Sequence, residues 1–172
     1  GEITKTINYH KEIKQGGNLV STPWCASFVN YCLNMAAYPM PVAKSWARSF
    51  TKDKNFKQIN APIYGAIAVY KYNGTEAKKQ TQGHVAFVYA LDEKSGREIV
   101  LGGNQSDSIC FRNGTIFESP AVHLKFVGYF VPSAYYQFAL KEIESQTQPP
   151  KSTQIKLNQL FGIKSSSSGG TR

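Results

Sequence analysis

The sequence predicts an α+β fold in which one helix, bearing a reactive cysteine, packs on an antiparallel sheet. Two observations support this class. Apolar residues recur with a helical period around Cys25, and they alternate with a period of two in several segments between Ala66 and Val131. Helices that come first and are followed by a run of strands are typical of α+β proteins.

Three helices are expected in the N-terminal third of the chain. The first covers residues 2–14 and the third covers Val42–Phe50. The second runs from Thr22 to about Ala37. Thr22 is expected to be its N-cap and Pro23 its first helical residue, because a hydroxyl can accept from a free backbone N–H and proline has none to satisfy.

Cys25 falls in the first turn of this second helix. Free backbone N–H groups and the positive end of the helix dipole are expected there, and both favour the thiolate over the thiol. Cys25 also begins the apolar stripe of the helix, which continues through Phe28, Val29, Cys32, Leu33 and Ala36. The thiol is therefore expected to point toward the sheet. The alternative is a buried structural cysteine.

Five strands are expected after residue 60, and Gly83–Leu91 is the clearest of them. One face of this strand carries His84 and then only small residues, namely Ala86, Val88 and Ala90. A helix can approach such a face closely, so the Cys25 helix is expected to lie on it. The other four strands are expected at residues 66–72, 97–104, 108–112 and 122–131.

The C-terminal residues 133–172 are expected to form an extension that follows a first domain of residues 1–132. Ser133–Glu144 has the pattern of an amphipathic helix, and residues 147–150 have the composition of a linker. The Ser- and Gly-rich segment Ser165–Arg172 is expected to be a mobile tail.

His84 is the candidate base. If the helix lies on the small face of its strand, the imidazole meets Cys25, accepts the thiol proton and later protonates a leaving amine. The alternative is a core histidine bonded to backbone. His10 and His123 lack this setting and are expected to be structural or surface residues.

Asn104 is the candidate third residue, because it ends the strand that follows the His84 strand. Its carboxamide oxygen could accept from one ring N–H of the imidazole and fix the tautomer. The alternative is a turn residue after Gly102-Gly103.

Composition limits the partners. The net charge of +9, from 20 basic and 11 acidic residues, favours an anionic partner such as nucleic acid, acidic lipid or a wall polymer. The lysines are scattered, and no nucleic-acid-binding motif accompanies them. There is no run of about 18 apolar residues, so no membrane span is expected. No leader is visible at Gly1, although that glycine leaves a removed leader open.

Cysteine and histidine spacing predicts neither a metal nor a cofactor. Three cysteines leave at least one free thiol. A disulfide between Cys32 and Cys110 is possible, although two reduced, buried thiols are favoured.

Three motifs resemble the CHAP family, the cysteine- and histidine-dependent amidohydrolases and peptidases. They are Pro23–Asn30 (PWCASFVN), Gly83–Val88 (GHVAFV) and Leu101–Gln105 (LGGNQ). The resemblance covers about residues 2–132 and includes the related NlpC-type wall peptidases. It implies a papain-like fold, cleavage of an amide bond in peptidoglycan, and the roles of nucleophile for Cys25, base for His84 and orienting residue for Asn104.

Two positions depart from the pattern of that family. Trp24 stands where many members carry a glutamine that helps to bind the oxyanion, and Gly102 stands where many carry a glutamate. The oxyanion would then rely on the backbone N–H of Cys25 and a second donor that the sequence does not identify.

The expected function is peptidoglycan hydrolysis, by an N-acetylmuramoyl-L-alanine amidase or an endopeptidase. The protein would be a monomer, secreted or delivered to the periplasm or wall, acting as a lysin or as an antibacterial effector with an immunity protein or a secretion carrier as partner. The main alternative is a non-catalytic wall-binding module. A nucleic-acid binder, suggested by charge alone, ranks below both.

Overall fold

The computed structural model describes residues 7–19 and 21–164, and it confirms the α+β class. The predicted tail and part of the first predicted helix lie outside this range. The α-helices are α1 (Tyr9–Glu12), α2 (Cys25–Met35), α3 (Gly114–Phe117), α4 (Tyr136–Glu144) and α5 (Gln154–Leu160). Short 3₁₀ helices cover Ala47–Thr51, Ala77–Lys79 and Ser133–Tyr135. None of the described helices is long and apolar enough to cross a bilayer.

Seven strands form one sheet in the described part of the chain. They are β1 (Phe56–Ile59), β2 (Ile67–Tyr72), β3 (Gly83–Asp92), β4 (Glu98–Gln105), β5 (Ser108–Asn113), β6 (Leu124–Pro132) and β7 (Lys151–Ser152). The order across the sheet is β1-β6-β2-β3-β4-β5, with antiparallel neighbours throughout. The short β7 pairs in parallel with the end of β3.

Helix α2 begins two residues later than the expected first helical residue. Trp24 is the N-cap, because its carbonyl accepts the first intrahelical bond from the Phe28 N–H at 2.9 Å. The predicted cap, Thr22, instead donates its own N–H to the Asn18 carbonyl at 3.1 Å and so closes the preceding turn. Cys25 is therefore the first helical residue rather than the third.

The face of the sheet on which α2 packs is also opposite to the expected one. Phe28 and Val29 of α2 share a core cluster with Val69 and Val85. The small face that was expected to receive α2 belongs instead to a second core cluster. This cluster contains Tyr70, Phe117 and, from α4, Ala139. Small residues give this face room for two aromatic rings, while valines on the other face supply the apolar area that α2 buries.

Residues 133–164 pack on the same sheet as the preceding ones. Pro150, in the predicted linker, accepts from the Leu91 N–H at 2.9 Å and leads directly into β7. In α5, the Asn158 amide pairs with the Phe111 backbone, accepting from its N–H at 2.9 Å and donating to its carbonyl at 3.0 Å. The domain boundary at residue 132 stays a prediction.

Two further elements differ from expectation. The segment Val42–Phe50 is mostly irregular and ends in the 3₁₀ helix Ala47–Thr51 rather than forming an α-helix. Strand β1 was not predicted, because only its two end residues are buried and its centre is polar.

Candidate functional site

Cys25 is buried, with 5% of its surface exposed, where the start of α2 meets β3. The backbone N–H groups of Val85, Ala26 and Cys25 itself lie close to its thiol and favour the thiolate. The Val85 N–H is free for this contact because of the sheet register. Val88 directs its backbone N–H and C=O groups to the β2 side. This direction alternates from residue to residue along a strand, so Val85, three residues away, directs its N–H and C=O groups toward β4. The recorded β3–β4 pairing reaches only Phe87 at this end of β3.

Burial controls the ionisation of Cys25. It raises the pKa of the thiol to about 11, and the three N–H groups lower it by less than burial raises it. The expectation that the helix start would favour the thiolate is therefore wrong. Helix-end electrostatics act as expected on the thiol, but desolvation of the charge outweighs them.

His84 is fully buried and holds one defined hydrogen bond. Its Nε2 lies 2.9 Å from Oε1 of Gln105. The orientation of the Gln105 amide follows from its other contact, since its NH₂ group donates to the Cys110 carbonyl. The amide oxygen must then face the imidazole, so the histidine proton is on Nε2 and Nδ1 carries the lone pair.

The imidazole of His84 is neutral at physiological pH. Burial lowers the pKa of His84 to about 4, and the Gln105 hydrogen bond raises it by less. Nδ1 is buried and has no hydrogen-bond partner. A neutral ring with a free lone pair can accept a proton, and a pKa of about 4 makes it a weaker base than a group that titrates near neutral pH.

Aromatic side chains enclose the His84 ring. Phe117 lies 4.7 Å from it, centroid to centroid, and Tyr70 lies 6.4 Å from it. The Tyr70 hydroxyl donates to the buried Glu98 carboxylate at 2.6 Å, which fixes the phenol ring in place. Burial and the Glu98 charge raise the pKa of Tyr70, so the phenol remains protonated.

Asn104 does not form the expected hydrogen bond with His84. Asn104 is 1% exposed, has a left-handed backbone with φ of 58°, and neither of its amide atoms has a partner. Regular alternation would put Gly102 and Asn104 on the face that carries His84. The β4–β5 register shifts between Gly102 and Gln105, so Gln105 reaches the imidazole instead.

Cys25 and His84 are close along β3 but do not contact each other through a hydrogen bond. The Cys25 thiol lies close to the backbone N–H of Val85, the residue next to His84. The imidazole packs with Tyr70 and Phe117, on the side of the sheet opposite to the Val85 side chain. The structure thus brings the helix start and the histidine strand together, as expected, without forming the expected thiol–imidazole bond.

Unpaired polar atoms concentrate at this end of α2. In the part of the chain that the structure describes, six buried side-chain nitrogen or oxygen atoms lack a partner, and four of them belong to Trp24, His84 and Asn104. Each such group costs about 1–3 kcal/mol of desolvation. Folding stability does not explain this concentration, whereas a site that hydrogen-bonds a substrate does.

The opposite end of α2 has a different character. A pocket of about 570 Å³ opens there between Cys32, Leu33 and Ala36 of the helix and Ile67 and Phe87 of the sheet. Its lining is predominantly apolar. It holds none of the three predicted site residues.

The other two cysteines, Cys32 and Cys110, are free, as is Cys25, so the possible disulfide is not formed. Cys110 has a role that the sequence did not suggest, because its carbonyl orients the Gln105 amide. Gln105 itself ends the third motif, and its side chain carries the same amide group as the neighbouring Asn104. Among the described residues, no group of three His, Cys, Asp or Glu side chains is arranged to hold a metal ion.

The comparisons agree with the motifs. No curated protein and no solved structure matches the chain. The family model described as the CHAP domain matches residues 17–104, just over half of the 172 residues. The match includes Cys25 and His84 and ends at Asn104, one residue before Gln105. The chain belongs to the CHAP domain family.

Proposed function

We propose that this protein is a peptidoglycan hydrolase that cleaves an amide bond, with Cys25 as nucleophile and His84 as general base. Membership of the CHAP family suggests this class of reaction. The observation that carries the assignment of residues is the neutral, buried imidazole of His84. Its Nε2 proton is held by Gln105 and its Nδ1 lone pair is free. His84 is next to Val85, whose backbone N–H lies close to the Cys25 thiol.

In the first half of the reaction, the thiol proton of Cys25 moves to Nδ1 of His84 while the sulfur bonds to the amide carbonyl carbon. The backbone N–H of Cys25, free at the first helical position, donates to the oxyanion. The C–N bond then breaks, and the proton on Nδ1 passes to the leaving amine. A thioester on Cys25 remains.

In the second half, water attacks the thioester carbonyl and His84 accepts its proton at Nδ1. The C–S bond breaks, the same proton returns to the Cys25 sulfur, and a carboxylic acid is released. Gln105 is the positioning residue in both halves, because it keeps the ring proton on Nε2. It takes the position expected for Asn104. The proposal also includes a papain-like fold for the domain.

Attack requires a rearrangement that brings the imidazole to the thiol, because no hydrogen bond joins Cys25 to His84 and the two side chains lie on opposite sides of β3. Hydrogen bonds between catalytic groups are often long in free enzymes and shorten when substrate is bound. Both groups are neutral here, with a thiol pKa of about 11 and an imidazole pKa of about 4. Proton transfer therefore accompanies attack instead of preceding it.

A non-catalytic wall-binding module is the second candidate. The buried, neutral thiol of Cys25 and the missing thiol–imidazole bond favour it. It predicts saturable binding to peptidoglycan without release of fragments.

The deciding experiment is digestion of purified peptidoglycan by wild type, Cys25→Ala and Cys32→Ala, with fragments identified by mass spectrometry. Cys32 is a matched control, because it is on the same helix and burial raises its pKa to about 11 as well. Cleavage lost only in Cys25→Ala supports the hydrolase, and fragment masses distinguish an amidase from an endopeptidase. Binding without cleavage by wild type, on walls of several chemotypes, supports the binding module.

The biological setting is also a proposal. A secreted lysin and an effector delivered to the periplasm both fit a wall hydrolase, and an effector would require an immunity protein and a secretion carrier. Expression of the protein with and without a periplasmic leader separates the two compartments. Cys25-dependent lysis only with the leader would place its substrate outside the cytoplasmic membrane.

A further inference from the structure

Asn104 is anomalous even among the buried polar residues of this protein. Its side chain is almost completely buried, and both amide atoms lack a partner. Its backbone has φ of 58°, which asparagine tolerates better than most residues but which still limits what can stand there. A residue kept for packing would be expected to satisfy its amide, as Asn158 does with both amide atoms.

The neighbours of Asn104 place it beside the first turn of α2. A Cβ on Gly103 would lie 2.6 Å from the Trp24 ring and 2.7 Å from Cβ of Phe28. The β4 backbone at Gly103 therefore packs closely against residues that precede and follow Cys25 in the sequence. Continuing the pairing of Phe87 with Leu101 by two residues puts Gly103 opposite Val85. Val85 is the residue whose N–H lies close to the Cys25 thiol and lowers its pKa.

We propose that the Asn104 side-chain amide is the second oxyanion donor, acting with the backbone N–H of Cys25. This inference rests on the proposed function. It gives Asn104 a different role from the orienting one expected from sequence, which Gln105 fills. Nδ2 of Asn104 donates to the carbonyl oxygen as that oxygen gains negative charge, and no covalent bond to Asn104 forms or breaks.

The physical reason is preorganisation. A donor that is already desolvated and unpaired needs no rearrangement of its own hydrogen bonds when charge develops on the substrate oxygen. Trp24 replaces the glutamine that many family members have before the nucleophile, so the chain needs a donor from elsewhere. Asn104 directly follows Gly103, the β4 residue that packs against α2.

Asn104→Gly and Asn104→Asp test the proposal in the full chain, with purified peptidoglycan as substrate. Both residues tolerate the left-handed backbone, and both remove the amide N–H donors. The expected result is a fall in kcat of about 10²- to 10³-fold with KM nearly unchanged, because the donor acts on charge present only in the transition state. Asn104→Gly should keep the melting temperature of wild type or exceed it.

Asn158→Ala is the matched control, because it removes a buried amide whose atoms are both paired. It should lower the melting temperature and leave kcat unchanged. Full kcat in both Asn104 variants, with an active wild type, would overturn the inference alone. So would a large kcat loss in Trp24→Phe without one in the Asn104 variants. A wild type that cleaves nothing would contradict the proposed function and this inference together.

Discussion

At its N-terminal end, α2 holds Cys25 among buried polar atoms that lack partners, and 5% of Cys25 is exposed. At its C-terminal end, Cys32 and Leu33 line an open apolar pocket of about 570 Å³. Burial raises the pKa of the cysteine at each end to about 11. The cysteines thus do not differ in their intrinsic acidity. What distinguishes the Cys25 end is the set of groups around the thiol.

The comparison shows that the apolar pocket and the unpaired polar groups lie at different ends of α2. The pocket has space, but its lining contains no histidine that could serve Cys32 as a base. The Cys25 end has a free imidazole lone pair, free amide atoms and a free backbone N–H, yet little space. Unpaired buried polar groups lower the stability of the fold, and packing does not compensate for this loss. They are therefore a stronger sign of function here than the pocket is.

The strongest way to break this comparison is to damage the pocket end alone. Leu33 is 5% exposed and lines the pocket. Leu33→Ala should lower the free energy of unfolding by about 2–5 kcal/mol, because it deletes buried methyl groups and leaves space behind. The cleavage rate per folded molecule should not change. Urea denaturation and peptidoglycan digestion measure the two quantities. A lost cleavage rate in a folded variant would show that the pocket takes part in the reaction.

The neutrality of the Cys25 end can be tested by pH. The pKa of His84 falls from 6.5 to about 4 on folding, so between these values the unfolded chain binds a proton that the folded protein does not. Stability is therefore complete above pH 6.5 and is lost as pH falls, by about 3 kcal/mol at pH 4. Urea unfolding of His84→Gln from pH 7 to 4.5 should show a shallower decline than wild type. Equal declines would mean that folding does not lower the pKa of His84.

Gly103 tests how tightly β4 must contact α2 beside Cys25. Gly103→Ala places a Cβ 2.6 Å from the Trp24 ring, so the ring or the strand must move. We expect a loss of about 1–3 kcal/mol in the free energy of unfolding, together with reduced cleavage. Gly16→Ala is the control, because a Cβ on Gly16 meets nothing within 4 Å. If Gly103→Ala changed neither the free energy of unfolding nor cleavage, the first turn of α2 would tolerate displacement.

The features that the sequence predicts correctly are local ones. The helical period around Cys25 and the alternation from His84 onward depend on neighbouring residues, so α2 and β3 were placed to within a few residues. The motif around Cys25 also identifies the family. The face of β3 that receives α2 was predicted wrongly, because both faces are buried and the competing partners, Phe117 and α4, are distant in sequence.

The features that could not be predicted depend on backbone irregularity and burial. The choice of Gln105 over Asn104 follows from a register shift in β4, and alternation alone gives the wrong residue. Positive φ values at Asn104, Ser106 and Asp107 accompany that shift. The raised thiol pKa depends on how completely the fold covers Cys25, which a helix-start motif does not reveal.

The smallest expected effect concerns charge near the Cys25 end of the sheet. Lys71 on β2 faces Lys125 on β6 directly, and Lys71 also pairs with Gly83, two residues from Val85. Within the described residues, neither lysine forms an ion pair. Like charges in facing positions destabilise a sheet, so replacing both lysines with glutamine should stabilise the protein by about 0.2–1 kcal/mol.

The same double variant should weaken wall binding if these lysines hold an anionic polymer beside Cys25. Binding is measured by sedimentation with purified peptidoglycan in a Cys25→Ala background, which prevents digestion. The loss should be clear at low salt and should diminish at high salt, because exposed charges are screened. Lys141→Gln with Lys151→Gln is the control, since it changes the net charge equally on α4 and β7. Equal loss in both double variants would mean that total charge, rather than this position, retains the protein on the wall.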